Sequence, residues 1–189
     1  SSLVRHMILS TEGVFGVALG ASASFIFLFC LLGALMAEIK ADSVLIDIVV
    51  GIFGKGVGGP AKAAVLSSAL FGTISGSSLA NVTTTGTFTI PLMKKTGYEP
   101  EFAGAVEATA STGGQIMPPV MGAAAFIIAE FVGESYLTIC IAAALPALLY
   151  FIGVFTAVHV KAKASGLKGI PAEELPNVGE VLKKKGYLL

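Results

Sequence analysis

Apolar residues run without a charge through positions 14–36 and 137–158, each stretch long enough for the roughly 20 residues of a membrane-spanning helix. Neither is a signal peptide: the first exceeds a signal's apolar core, and no small-residue cleavage motif follows it. After the first run, ADSVLIDIVVGIFGK places Ser43, Asp47, Gly51 and Lys55 at every fourth position. One polar stripe on an otherwise apolar helix predicts an interfacial arm helix over 41–54, with a short buried helix as the competing reading. GKGVGGP ends it, its glycines supplying turn conformations and Pro60 suiting the first turn of the next helix.

Positions 63–93 again carry no charge. A single helix of that length would measure about 45 Å against a hydrocarbon core of about 30 Å. The break at SGSSLAN instead predicts a re-entrant hairpin over 61–93, one short helix entering and a second leaving through VTTTGTFTIPLM. Over 100–132, STGGQIMPP sets two glycines and two prolines inside an apolar run, each costly in a helix interior. That predicts a discontinuous helix, with Pro119 an early residue of its second half. A closing span over 136–159 follows, then a polar cytoplasmic connector over 161–189 to a missing second half. KKKGYLL stops where a new apolar run begins, so the chain is expected to be part of a longer one. The fold class is all-α integral membrane: transmembrane helices with a re-entrant helical hairpin and a discontinuous helix.

Composition sharpens this picture: 54% of residues are hydrophobic and 13% charged, about half the charge of a soluble domain. Twelve basic residues balance twelve acidic ones, which leaves no basic stripe for nucleic acid. With a hairpin, Lys40, Lys55, Lys62, Lys94, Lys95 and the lysines after Val158 share one face, and Arg5 stands opposite. A crossing at 63–93 would split the lysines between faces. The positive-inside rule makes the lysine face cytoplasmic. Cys30 and Cys140 lie in apolar runs and read as packing residues.

The two breaks carry the chemistry. Irregular backbone at membrane depth survives only where protein or a water-filled cavity satisfies it. Each break leaves carbonyls at one half-helix end, suited to sodium, and amides at the next half-helix start, suited to carboxylates. Ser75, Ser77, Ser78, Asn81, Thr83, Thr84 and Thr85 offer neutral oxygens around the first break, and Thr109, Ser111, Thr112 and Gln115 around the second. A hard monovalent cation prefers such oxygens, whereas a divalent ion draws carboxylates, which both breaks lack. Close helix packing alone accounts for Gly72, Ser67 and Ser68 but not for paired helix breakers. Glu107 is the one ionisable side chain near the middle of its apolar run; an intramembrane functional acid and a snorkelling, water-facing glutamate both fit. His6 and His159 read as interfacial. A serine nucleophile would need a base at its own depth, and no HExxH or paired acidic motif is present, so the chain is not expected to be an enzyme. A channel-like or structural membrane protein with broken helices lining a pore is the alternative.

The segment from GGPAKAAVLSSALFGTISGSSLANV through GYEPEFAGAVEATASTGGQIMPPVMGAAAF resembles the large permease subunit (DctM-like) of tripartite ATP-independent periplasmic (TRAP) transporters, most nearly the type fusing small and large subunits. The resemblance implies half of an elevator-type secondary transporter, one inverted repeat, driven by sodium as coupling ion with no other cofactor. It implies a multi-pass protein of a bacterial or archaeal cytoplasmic membrane. Its partners would be a C4-dicarboxylate-like or related organic acid, the periplasmic binding protein that delivers it, a small permease subunit or domain, and the second half of the permease. By motif, the sodium candidates are Ser75, Gly76, Ser77 and Asn81 with Gly113, Gln115 and Pro118; the substrate candidates are Ser78, Asn81 and Thr84. Cysteines placed at Lys62 and Lys94 of the full-length protein should label from the same side of the membrane, and opposite sidedness would exclude the hairpin.

Overall fold

The computed structural model describes residues 27–39 and 41–185, with isolated positions 4, 8, 16, 19, 20 and 23 before them. Much of the expected first span and His6 lie outside the described residues. Helices follow in the order α1 Phe27–Glu38, α2 Ala41–Phe53, α3 Gly59–Ser75, α4 Ser78–Lys95, α5 Pro100–Gly113, α6 Ala123–Val132, α7 Tyr136–Ala164 and α8 Val178–Lys185. Short 3-10 turns at Gly114–Ile116 and Ala172–Glu174 complete the set, and no strand occurs among the described residues.

Local chemistry sets the main boundaries. Left-handed Gly58 (φ 69°) turns the chain into α3, whose first turn holds Pro60 where a missing amide proton costs nothing. At the far end Gly76 adopts φ 59° and its N–H bonds back to Gly72 O at 3.2 Å, a left-handed cap suited to glycine. Ser77 is extended and its side chain caps α4 by accepting from Ala80 N at 3.3 Å. Two caps back to back reverse the chain. Asn81 Nδ2 then donates to Ser68 O at 2.8 Å, tying α4 to α3 as a helical hairpin.

The α5–α6 interruption is longer than the sequence suggests. After the 3-10 turn, residues 117–122 are irregular, with a cis Pro118–Pro119 peptide and Met121 at φ 52°. The second half-helix therefore starts at Ala123 with Gly122 as its cap, and Pro119 is not part of it. Met121 O lies where a Cβ on Gly76 would be, so contact with the hairpin tip, rather than local helix preference, shapes this stretch.

Small residues let the layers meet. Ala61, Ala64, Val65 and Ala69 of α3 pack with Ala103, Val106 and Ala110 of α5 and with Phe151, Val158 and Ala162 of α7, the alanine-rich close packing common between membrane helices. Leu137, Ile141, Leu145, Leu148 and Ile152 leave the opposite face of α7 apolar and exposed. Among the described residues α7 is the one helix long and apolar enough to cross a membrane. Beyond it the chain turns back onto α2. Ile170 N bonds Gly54 O at 2.8 Å, Val178 seats on Gly51, and Lys95 Nζ meets Glu174 at 2.5 Å.

The tightest crossing is between α3 and the second break. A Cβ on Gly72 would collide with the backbone of Gly114, and one on Gly114 would lie 3.0 Å from both Gly72 Cα and Asn81 Nδ2. Gly72→Ala should therefore destabilise by about 1–3 kcal/mol. Gly104→Ala, with nothing within 4 Å, should stay within about 0.5 kcal/mol of the parent. Thermal unfolding of the full-length protein in detergent checks the pair.

Candidate functional site

Four helix ends meet at the two breaks. α3 ends at the hairpin tip and α5 runs into the 3-10 turn, while α4 starts at Ser77 and α6 at Gly122. Helix C-termini carry partial negative charge and N-termini partial positive charge, so one small volume is offered both polarities. Between them lies a cavity of about 490 Å³ lined by Ser75, Gly76, Ser77, Gln115, Ile116, Val120, Met121, Gly122, Ala123 and Ala124, with Phe29 and Phe126 as aromatic walls.

Protein groups hold the irregular backbone around this cavity. Gly122 N bonds Gln115 O at 2.7 Å, and Val120 N reaches Thr73 O on the hairpin at 3.4 Å. Tyr136 presents its phenol to Pro119 O at 2.9 Å and Val120 O at 2.5 Å, and its ring stacks on Phe126 with centroids 4.2 Å apart. Gln115 Nε2 donates to Ser78 Oγ at 2.8 Å, a side-chain link between the two breaks. Ser75 Oγ, by contrast, is shielded from solvent and has no hydrogen-bond partner among the described residues. A buried hydroxyl without a partner is costly, and this one belongs to a residue of the cavity wall.

Of the residues singled out in the sequence, the structure brings Ser75, Gly76, Ser77 and Gln115 together on the cavity wall. Ser78 joins them through Gln115. Asn81 sits behind the wall, fully buried, its amide nitrogen bonded to Ser68 O. Half-buried Thr84 and Pro118 do not line the cavity. Gly113 faces α7, where a Cβ would lie 2.5 Å from the Tyr150 ring, so its side-chain position serves helix packing.

Glu107 is neither water-facing nor snorkelling: it is 1% exposed. Ser68 of α3 and Ser111 of α5 direct their hydroxyls at Oε1 from 3.3 and 3.2 Å. Thr85 of α4 also donates to Oε1, and Thr89 to Oε2. No basic side chain among the described residues lies within ion-pair distance of it. Hydroxyl donors from three helices satisfy the buried carboxyl. Sequence spacing does carry a trace of this arrangement, since Asn81, Thr85 and Thr89 recur every fourth residue and so share one face of α4. Tyr136 also gave no signal of its own in the sequence.

Comparison with known proteins gives a family match. The family described as "Tripartite ATP-independent periplasmic transporter, DctM component" matches residues 3–189. The C4-dicarboxylate TRAP transporter large permease protein DctM of Pseudomonas aeruginosa is 33% identical over 149 residues, covering 78% of this chain and 34% of that protein. Its namesake in Vibrio cholerae is 32% identical over 67% of this chain and 27% of its own length. The ectoine TRAP transporter large permease protein TeaC of Halomonas elongata is 31% identical over 85% of this chain and 36% of its own. The chain thus spans about a third of the length of the curated relatives it matches.

Tyr136→Phe removes the phenol that bonds residues 119 and 120. Hydrogen exchange at the amides of Val120–Gly122 should speed up by about fivefold, one lost hydrogen bond being worth about 1 kcal/mol, while exchange in α3 and α4 stays as in the parent.

Proposed function

Since the chain belongs to the DctM component family of the tripartite ATP-independent periplasmic transporters, we propose that it supplies half of a membrane permease that imports an organic acid together with sodium. Proteins of this family are transporter permeases, not enzymes. The observation that carries the reading is the meeting of two helix C-termini and two helix N-termini at one cavity. Such an arrangement suits a cation and a carboxylate bound side by side.

In this reading Ser75, Gly76 and Ser77 of the hairpin and Gln115 of the facing break supply oxygens to sodium from the cavity wall, with Asn81 behind it, while Gly113 and Pro118, named by the motif for this role, stand off that wall. Ser75 Oγ, buried and without a partner among the described residues, is the group of the cavity wall most in need of one. Ser78, linked to the cavity wall through Gln115, and the N-terminal amides of α4 and α6 receive the substrate's carboxylate, while Asn81 and Thr84, named by the motif for this role, stand off that wall. The relatives are named for C4-dicarboxylates and for ectoine; an organic acid of this size is the substrate class proposed here. The hairpin is re-entrant, α2 lies along the membrane surface, and α7 crosses with its apolar face toward lipid. A second half with its own hairpin completes the site, a small permease subunit or domain supports it, and a periplasmic binding protein delivers the acid. The assembly lies in a bacterial or archaeal cytoplasmic membrane.

Full-length permease, reconstituted with its small subunit and binding protein, should take up organic acid only when sodium is supplied. Ser77→Ala or Asn81→Ala should raise the sodium concentration for half-maximal uptake by about five- to tenfold. Equal uptake with choline in place of sodium would sink the coupling.

A further inference from the structure

A second hollow lies away from the two breaks, between α5 and α7. It has a volume of about 300 Å³ and is walled by Phe102, Ala105 and Thr109 of α5 and by Gly153, Val154 and Ala157 of α7. Ala105, Thr109, Gly153 and Ala157 are exposed, so the groove is open along its outer side. A Cβ on Gly153 would meet nothing within 4 Å; the groove exists because the residues that face it are small.

Its two ends differ. At the end nearer the second break, Tyr150 of α7 reaches across and donates its hydroxyl to Thr109 O at 2.8 Å, closing the groove. At the other end Lys161 holds its ammonium over the Phe102 ring, 5.6 Å from the centroid. Lys161 stands one helical turn after Ala157 and two after Val154, so it continues the same face of α7. A ring face does not neutralise the charge. No carboxylate among the described residues lies within ion-pair distance of Lys161, Glu99 and Glu101 at the start of α5 included. On this side α4 ends in Lys94 and Lys95, and the last turn of α7 carries Lys161 and Lys163, which the positive-inside rule assigns to the cytoplasmic leaflet.

We infer that this groove binds an anionic phospholipid of the cytoplasmic leaflet, with one acyl chain between α5 and α7 and the phosphate on Lys161. The trough is about 10 Å long, the rise of α5 from Phe102 to Thr109, and its single charge stands at the headgroup end. Basic pockets between membrane helices on the cytoplasmic side suit anionic headgroups. An apolar side chain of another helix would fill the trough yet leave the ammonium without a counter-charge, whereas a phospholipid answers both ends. The inference rests on the membrane placement proposed above and on neither the sodium nor the carboxylate site.

The test uses the purified full-length permease in mixed detergent micelles, its melting temperature titrated with phosphatidylglycerol or with phosphatidylcholine of the same acyl chains. In the parent, half the stabilisation should come at a concentration of phosphatidylglycerol about fivefold lower than of phosphatidylcholine. Lys161→Gln should raise the phosphatidylglycerol midpoint by about fivefold and leave the phosphatidylcholine midpoint in place. Gly153→Leu, whose side chain occupies the trough, should raise both midpoints by about tenfold. Lys163→Gln, at the same helix end but turned away from the groove, should keep both within about twofold of the parent.

A Lys163→Gln effect as large as that of Lys161→Gln means a general attraction of anionic lipid to the basic face and overturns the inference. So does a folded Gly153→Leu protein with the parental midpoints. A parent stabilised equally by the two lipids overturns it as well, and a Gly153→Leu protein destabilised with no lipid added would then assign the groove to another helix. If Gly153→Leu does not fold, the two lysine variants in the last turn of α7 decide. Sodium-dependent uptake is a separate measurement, and none of these midpoints bears on it.

Discussion

The contact on which the rest of the structure depends is the crossing of Gly72 and Gly114. Two stretches of backbone touch there with no side chain between them, and only glycine on both sides permits it. Because of that contact the hairpin tip and the irregular 117–122 segment lie beside one another, so each can satisfy groups the other leaves open. Val120 N finds Thr73 O and Gln115 finds Ser78 across this crossing. Irregular backbone on each side is thus held by polar groups of the other.

Behind the crossing, polarity is divided by depth. The cavity wall presents short polar side chains and helix ends, whereas the buried cluster around Glu107 gathers hydroxyls from α3, α4 and α5. A carboxyl group removed from water carries a large desolvation cost, offset here by donors on every side. The helices that supply them cannot slide past one another without breaking several bonds at once, since Gly86 also packs a Cβ position 3.1 Å from Glu107 Cγ. The three-helix unit is therefore stiff where it surrounds the acid.

Much of the helix order was legible from the chain, because the punctuation is local. Gly58 and Pro60 start α3, Gly76 and Ser77 reverse it, and Pro118 with Pro119 interrupts the next helix; each acts through its own backbone preference. What escaped depends on distant partners. The start of α6 at Ala123 reflects Met121 lying against Gly76, a contact that no local pattern contains. Glu107 left two readings open because its partners Ser68, Thr85 and Thr89 stand on other helices. Asn81 looked like a member of the tip by its nearness to Ser77, yet one helical turn carries it behind the cavity wall. Gly113 looked like part of the second break and faces Tyr150 instead.

The return of the chain onto α2 bears on the order in which the molecule assembles. The bond from Ile170 N to Gly54 O closes a loop holding everything from the hairpin to α7. Closing so long a loop in a flexible chain carries a large entropic cost for one bond, so the weld forms only after packed helices have already brought its ends together. During synthesis Gly54 emerges early and Ile170 late. The C-terminal end of α2 therefore gains this last partner only once α7 is complete.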